Sequence, residues 1–252
     1  MIASRIRAMS APHWLTLFAL ILLGWAALFA MAAPQIMREG AALYGAEFWA
    51  GLCTLTPDAA GFARITLMWV LMSAAMMAPT ALPAFATYDD LGHTTDTNFS
   101  HLVGGYMLVW IGFSILAAAL QFILFQADLV SALGDSRSSL FSGLLLIAAG
   151  AYQFTPLKEA CLSKCRAPLT FFMSHWADGP FAMGLRLGAV CVGCCAALML
   201  LAFVGGVMNL AFMGLATILM ILEKLPELGR YITRPLGVSL MGAGLWLGLM
   251  GT

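Results

Sequence analysis

The stretch Leu185–Val204, LRLGAVCVGCCAALMLLAFV, carries one charge, Arg186, at its start and none after it. At a rise of ~1.5 Å per residue, a helix of this length crosses a hydrocarbon core of ~30 Å. Three thiols and a thioether therefore sit inside a membrane-length run. On a helix Cys191, Cys195 and Met199 recur at i, i+4 and i+8, so their sulfurs share one face, with Cys194 on the neighbouring edge. Soft thiolate and thioether ligands select Cu(I), and a thiol gives up its proton when it binds a metal. Free cysteine is also a small hydrophobe, and beside Gly188 and Gly193 it suits a close helix interface, so a pure packing role is the competing reading.

The rest of the chain extends this pattern. Of its 252 residues 62% are hydrophobic and only 10% charged, with zero formal net charge. That composition excludes a water-soluble globule and gives no basic surface for nucleic acid. It predicts an all-α, polytopic transmembrane bundle of about seven spans, near 14–33, 64–85, 102–125, 140–154, 185–204, 207–222 and 235–249. Residues 1–60 read as a first, retained helix plus an interfacial segment carrying Tyr44, Phe48 and Trp49, and 61–252 as a six-helix domain with the Cys and Met motifs. Cys53 stands apart as an isolated thiol. With a cytoplasmic N-terminus, nine Lys and Arg residues fall inside and Arg38, Arg64 and Arg137 outside, so the positive-inside rule favours that orientation.

A second sulfur stripe lies in the second span, where Met68, Met72 and Met76 repeat every four residues ahead of Pro79 and Pro83. The prolines remove helical donors from the carbonyls of Ala75 and Pro79, which predicts a kink. Methionine also fills gaps in apolar cores, and the chain holds 17. A polar loop, Tyr88 to His101, combines acidic residues with His93 but lacks zinc-type spacing and reads as solvated. The fourth span is brief, and its continuation through Pro156 is an open reading. Beyond it Cys161 and Cys165 share a helix face beside Lys158, Lys164 and Arg166, an electropositive setting for a thiol pair at the membrane surface. Gly205-Gly206 predicts a tight hairpin into the sixth span. Asn209 there is expected to face the interior, and Glu223-Lys224 to close the span as an interfacial ion pair.

Three groups of residues carry a resemblance. They are Trp69-x-x-Met72-x-x-x-Met76-Met77-x-Pro79; Tyr152-Gln153-x-Thr155-Pro156-Leu157-Lys158-x-x-Cys161-x-x-x-Cys165-Arg166-x-Pro168; and Cys191-x-Gly193-Cys194-Cys195 with Met199, Gly206-Val207-Met208-Asn209 and Glu223-Lys224. Together, over roughly residues 64–250, they resemble a bacterial family of integral membrane proteins labelled as metal-binding. The resemblance implies a helical membrane fold and metal binding, and supplies no reaction.

The leading expectation is a protein of the bacterial inner membrane that binds Cu(I) through Cys191, Cys194, Cys195, Met199, Met72 and Met76, for transport, delivery or assembly. Cys161 and Cys165 would form a donor or acceptor pair. A metal donor or acceptor protein, or a larger membrane complex, would be the partner. No P-loop is present, so no nucleotide is expected. Two alternatives remain at this level. One is a membrane thiol oxidoreductase using Cys191 and Cys194 or Cys161 and Cys165, against which stands the lack of a charged neighbour near Cys191 in sequence. The other is a non-catalytic scaffold in a larger complex.

Overall fold

The structure, a computed structural model, describes residues 12–32, 51, 52, 54–92 and 97–250. The interfacial aromatic segment, Cys53 and His93 lie outside them. The described residues are all-helical, and a lone bridge between Val130 and Ser136 is their one extended pairing. In chain order the helices are α1 (Pro12–Ala32), α2 (Ala59–Leu91), α3 (Phe99–Gln126), α4 (Ser139–Tyr152), α5 (Pro156–Arg166), α6 (Pro168–His175), α7 (Pro180–Leu200), the single turn α8 (Ala202–Gly205), α9 (Leu210–Lys224) and α10 (Gly229–Met250).

Four of these are long and apolar enough to cross a membrane: α1, α2, α3 and α7 with its α8 extension. The pair α4 and α5 reaches that length only jointly, across a 62° bend. Thr155 caps α5, its hydroxyl accepting from the Lys158 amide at 3.3 Å, and Pro156 occupies the first helical turn, where its missing N–H costs nothing. Thr155-Pro156 is thus a helix start, and the fourth span does not run straight through Pro156. At 15 residues α9 is short for a span, and α10 begins at Gly229 with Pro235 inside it.

Outward faces of α1 and α3 leave Leu20, Leu22, Leu23, Ile115, Leu116 and Ile123 exposed. Such a girdle is compatible with lipid as the surrounding solvent. In lipid apolar burial does not drive helix association, so close backbone approach and interhelical hydrogen bonds must hold the bundle. Both are present. Gly184 of α7 lies against Leu102 and Tyr106 of α3, and Gly188 against Tyr106 and Val109; a Cβ on Gly188 would lie 3.0 Å from the Tyr106 carbonyl, and one on Gly105 2.9 Å from the Leu185 amide. Gly104 and Gly112, which the sequence also offered for contact, face open space. The α4–α10 pair uses the same device, with Gly143 against Gly244 and Gly150 against Gly237. Between α2 and α3, Trp69 Nε1 donates to Gln121 Oε1 at 2.7 Å and the Ser73 and Ser114 hydroxyls meet at 3.0 Å, all buried.

Helix α1 packs on α2, where the proline consequences appear. Trp25 Nε1 donates at 3.0 Å to the Ala75 carbonyl, the acceptor that Pro79 deprives of its helical donor. At the other end of α1, Trp14 Nε1 bonds Asp89 Oδ2 at 2.7 Å and His13 meets its Oδ1 at 3.2 Å. Gly206, at φ +92°, turns the chain between α8 and α9. The expected hairpin is not formed, because α9 packs chiefly against α2 and α10 instead of returning along α7. Asn209 is likewise not an interior residue. It is exposed and caps α9, accepting from the Phe212 amide at 3.1 Å.

Candidate metal centre

Helix α7 presents Cys191, Cys194, Cys195 and Met199 on its buried face, each no more than 2% exposed. The three thiol sulfurs lie within 4.8 Å of one another and form the one group of metal-type ligands so gathered among the described residues. Cys194 and Cys195 Sγ are 3.4 Å apart, and the Cys194 thiol is 3.2 Å from the Cys191 carbonyl. Metal–thiolate bonds of ~2.3 Å place sulfurs around one ion ~4 Å apart in a trigonal array. The cluster therefore fits a single soft ion once Cys194 and Cys195 part slightly.

The bend between α4 and α5 brings in a fourth sulfur. Cys165 Sγ lies 3.8 Å from Cys194 Sγ, and Cys161 packs over Gly193, where any Cβ would strike its sulfur. Both are half-buried. The sequence sets this pair at the membrane surface and the α7 cysteines inside an apolar run. The 62° turn instead folds α5 onto α7, and Cys165 joins the same layer. The electropositive setting also changes. Lys158 is fully buried and committed to Glu223, with Nζ 2.9 Å from Oε2 and 3.1 Å from Oε1, while Arg166 Nε donates to the Glu223 carbonyl at 2.9 Å.

Glu223 and Lys224 are therefore not an interfacial pair with each other. Lys224 turns the opposite way, its Nζ donating to Thr80 Oγ1 at 2.6 Å and lying 3.0 Å from Cys191 Sγ. Cys191 thus has the charged neighbour that its own stretch of sequence lacks. The Thr80 hydroxyl donates to the Met77 carbonyl at 2.9 Å, and Tyr106 Oη, from α3, lies 3.0 Å from that carbonyl and 3.1 Å from Cys191 Sγ. The close α3–α7 approach at Gly184 and Gly188 places Tyr106 there.

A cavity of ≈ 20 Å³ opens between these groups, lined by Cys165, Cys191, Lys224, Thr80 and Tyr106 and bordered by Pro83. That is room for one water or one ion. The methionine helix reaches the cavity through Thr80, its hydroxyl held by the Met77 backbone. Met72, Met76 and Met199 are buried in the same core but do not line the cavity. Sequence reading does not find Thr80 or Tyr106 and gives Lys224 only as an interfacial partner of Glu223. The available signal is an adjacent Glu223-Lys224 at the end of an apolar run, two charges that must find partners if buried.

Gathered thiols on a buried helix face, with no imidazole or carboxylate among them, are the donor set that a soft metal ion takes, here within a helical bundle. The model of the PpoB2 copper chaperone family matches residues 66–247, and the chain belongs to that family. The match covers every residue named in the cluster and omits α1. No curated protein and no solved structure matches the chain.

Proposed function

We propose that the chain is an integral membrane copper chaperone that accepts Cu(I) on Cys191, Cys194 and Cys195 and passes it to a partner protein or membrane complex. The copper is cargo. Membership of a copper chaperone family supplies the metal, and the gathered thiols are the single observation that carries the site. The sulfur-only donor set favours the monovalent ion. Three thiolates around Cu(I) carry two net negative charges, costly in a dry interior, and Lys224 at 3.0 Å from Cys191 offsets one of them.

Half-buried Cys165, 3.8 Å from Cys194, is positioned to receive copper first and exchange it inward, with Cys161 beside it. Met72, Met76 and Met199 are further soft ligands on the same core. Each thiol that binds releases its proton, so uptake is coupled to proton release. We place the protein in the bacterial inner membrane with seven spans and a cytoplasmic N-terminus. This orientation would set the α5 thiols toward the cytoplasm.

The test is elemental analysis of the reduced, purified protein after reconstitution with Cu(I), alongside a Cys191→Ala/Cys194→Ala/Cys195→Ala variant. Stoichiometric copper in the wild type and its loss in the variant are expected; full copper in the variant would overturn the assignment. The Cys165–Cys194 sulfur separation also favours a dithiol–disulfide reading. Alkylation trapping in cells, after copper is chelated, distinguishes it, since a chaperone keeps both thiols reduced.

A further inference from the structure

A second concavity, of ≈ 990 Å³, lies at the end of the bundle between the α4–α5 bend and the first turns of α10. Arg166, Arg230 and Arg234 line it, against one carboxylate, Glu159. Glu159 is answered by Arg166 at 3.6 Å. Arg166 is otherwise used inside the protein, bonded to the Glu223 carbonyl and 3.4 Å from Thr233 Oγ1. Arg230 and Arg234 are exposed, one turn apart on one face of α10, and form no ion pair among the described residues. Paired guanidinium forks at this spacing suit the several oxygens of one phosphate.

Gln153 is the independent observation. It lines the same cleft, is only 5% exposed, and neither Oε1 nor Nε2 meets a hydrogen-bond partner. A buried amide wants partners for both its atoms, and a group that both donates and accepts suits it. A hydroxyl does so. Gly237 makes room for this side chain, since a Cβ there would lie 2.9 Å from Gln153 Cβ. The volume far exceeds a bare phosphate, and Tyr231, 79% exposed at the rim, supplies the aromatic surface usual at a membrane interface.

We infer that this cleft binds a phosphate ester bearing a hydroxyl substituent, the phosphate on Arg230 and Arg234 and the hydroxyl on Gln153. An anionic phospholipid headgroup and a soluble phosphate ester share this chemistry. The site is distinct from the copper cluster and does not depend on it.

The experiment places the full chain in nanodiscs of phosphatidylcholine with phosphatidylglycerol added, and measures retained lipid by native mass spectrometry. A parallel titration in detergent uses glycerol 3-phosphate. Selective retention of phosphatidylglycerol without a response to glycerol 3-phosphate assigns the lipid source; saturable binding of glycerol 3-phosphate assigns the soluble one. In either case Arg230→Gln/Arg234→Gln should weaken binding by roughly tenfold or more, from two lost charge-assisted hydrogen bonds. Gln153→Leu should remove the preference for phosphatidylglycerol over phosphatidic acid, which lacks the hydroxyl. Both variants should keep wild-type helicity and copper content, which separates this site from the metal centre. Binding of neither probe, or retention unaffected by the double Arg substitution, would overturn the inference.

Discussion

Replacing Glu223 by Met removes the partner of a lysine that has no access to solvent. Lys158 Nζ lies 2.9 and 3.1 Å from the two carboxylate oxygens, and both side chains are 1% exposed. At 2.9 Å and an effective dielectric near 20, the pair attraction is ~6 kcal/mol. Most of that offsets desolvation, so the pair as a whole contributes little, whereas an orphaned ammonium costs ~3–5 kcal/mol. Glu223→Met and Lys158→Met should each destabilise by that amount. The double substitution Lys158→Met/Glu223→Met, an apolar pair of similar length, should recover most of the loss. Chemical unfolding in mixed micelles, read by tryptophan fluorescence, measures the cycle. A second readout follows from position: Cys165 is on the helix anchored by Lys158, and Lys224 is the residue after Glu223. The single substitutions should therefore also weaken copper binding. Single variants that lose less than about 1 kcal/mol, or a double variant no better than either, would refute the pairing argument.

Lys224→Met removes the hydrogen bond and the positive charge at Cys191, worth ~1.5–3 kcal/mol for a bond to a charged group. Cu(I) affinity, measured by competition with a chromophoric chelator, should fall roughly 10- to 150-fold, with partial recovery in Lys224→Arg; an unchanged affinity would remove Lys224 from the site. At the N-terminus of α2, outside the apolar run, hydrogen bonds from Thr56 and then from the Gly61 amide hold the Asp58 carboxyl below its ordinary range. A depressed folded-state value means that this cap stabilises above the unfolded carboxylate pKa of about 4 and is lost as pH falls through the lower folded value. Asp58→Ala should therefore be less stable than wild type at neutral pH and converge with it in acid. A stability difference that persists unchanged at low pH would contradict the assignment.

The helical class was readable because it depends on local pattern. Runs such as Leu185–Val204 and Leu102–Phe125 are almost wholly apolar; α3 covers the second, and α7 with its α8 extension covers the first. Helix ends follow capping chemistry, which the average hydropathy of a run does not register. Thr155-Pro156 is a start signal, yet length invited a continuous span. Asn209 was read as a polar residue inside an apolar helix when it is the cap before one. In both cases the backbone's need for partners at a helix end outweighed the average hydropathy of the window.

The sulfur stripe on α7 is likewise a property of one helix. A period of 3.6 residues puts Cys191, Cys195 and Met199 on one face whatever surrounds them, and all three are buried. The sequence by itself thus determined the helical class, the shared face of the α7 thiols and, through the motif resemblance, the link to a metal-binding family. The partners across the cavity are another matter. Lys224 is 33 residues from Cys191 and 144 from Thr80, and Cys165 is 29 from Cys194. Periodicity assigns a residue to a face but not that face to a neighbour. Only the packing of α3, α5 and α9 decided that Tyr106, Cys165 and Lys224 meet at one point. The physical reason is that buried charges and close-approach glycines satisfy one another across helices, and that pairing exists only once the helices are in place.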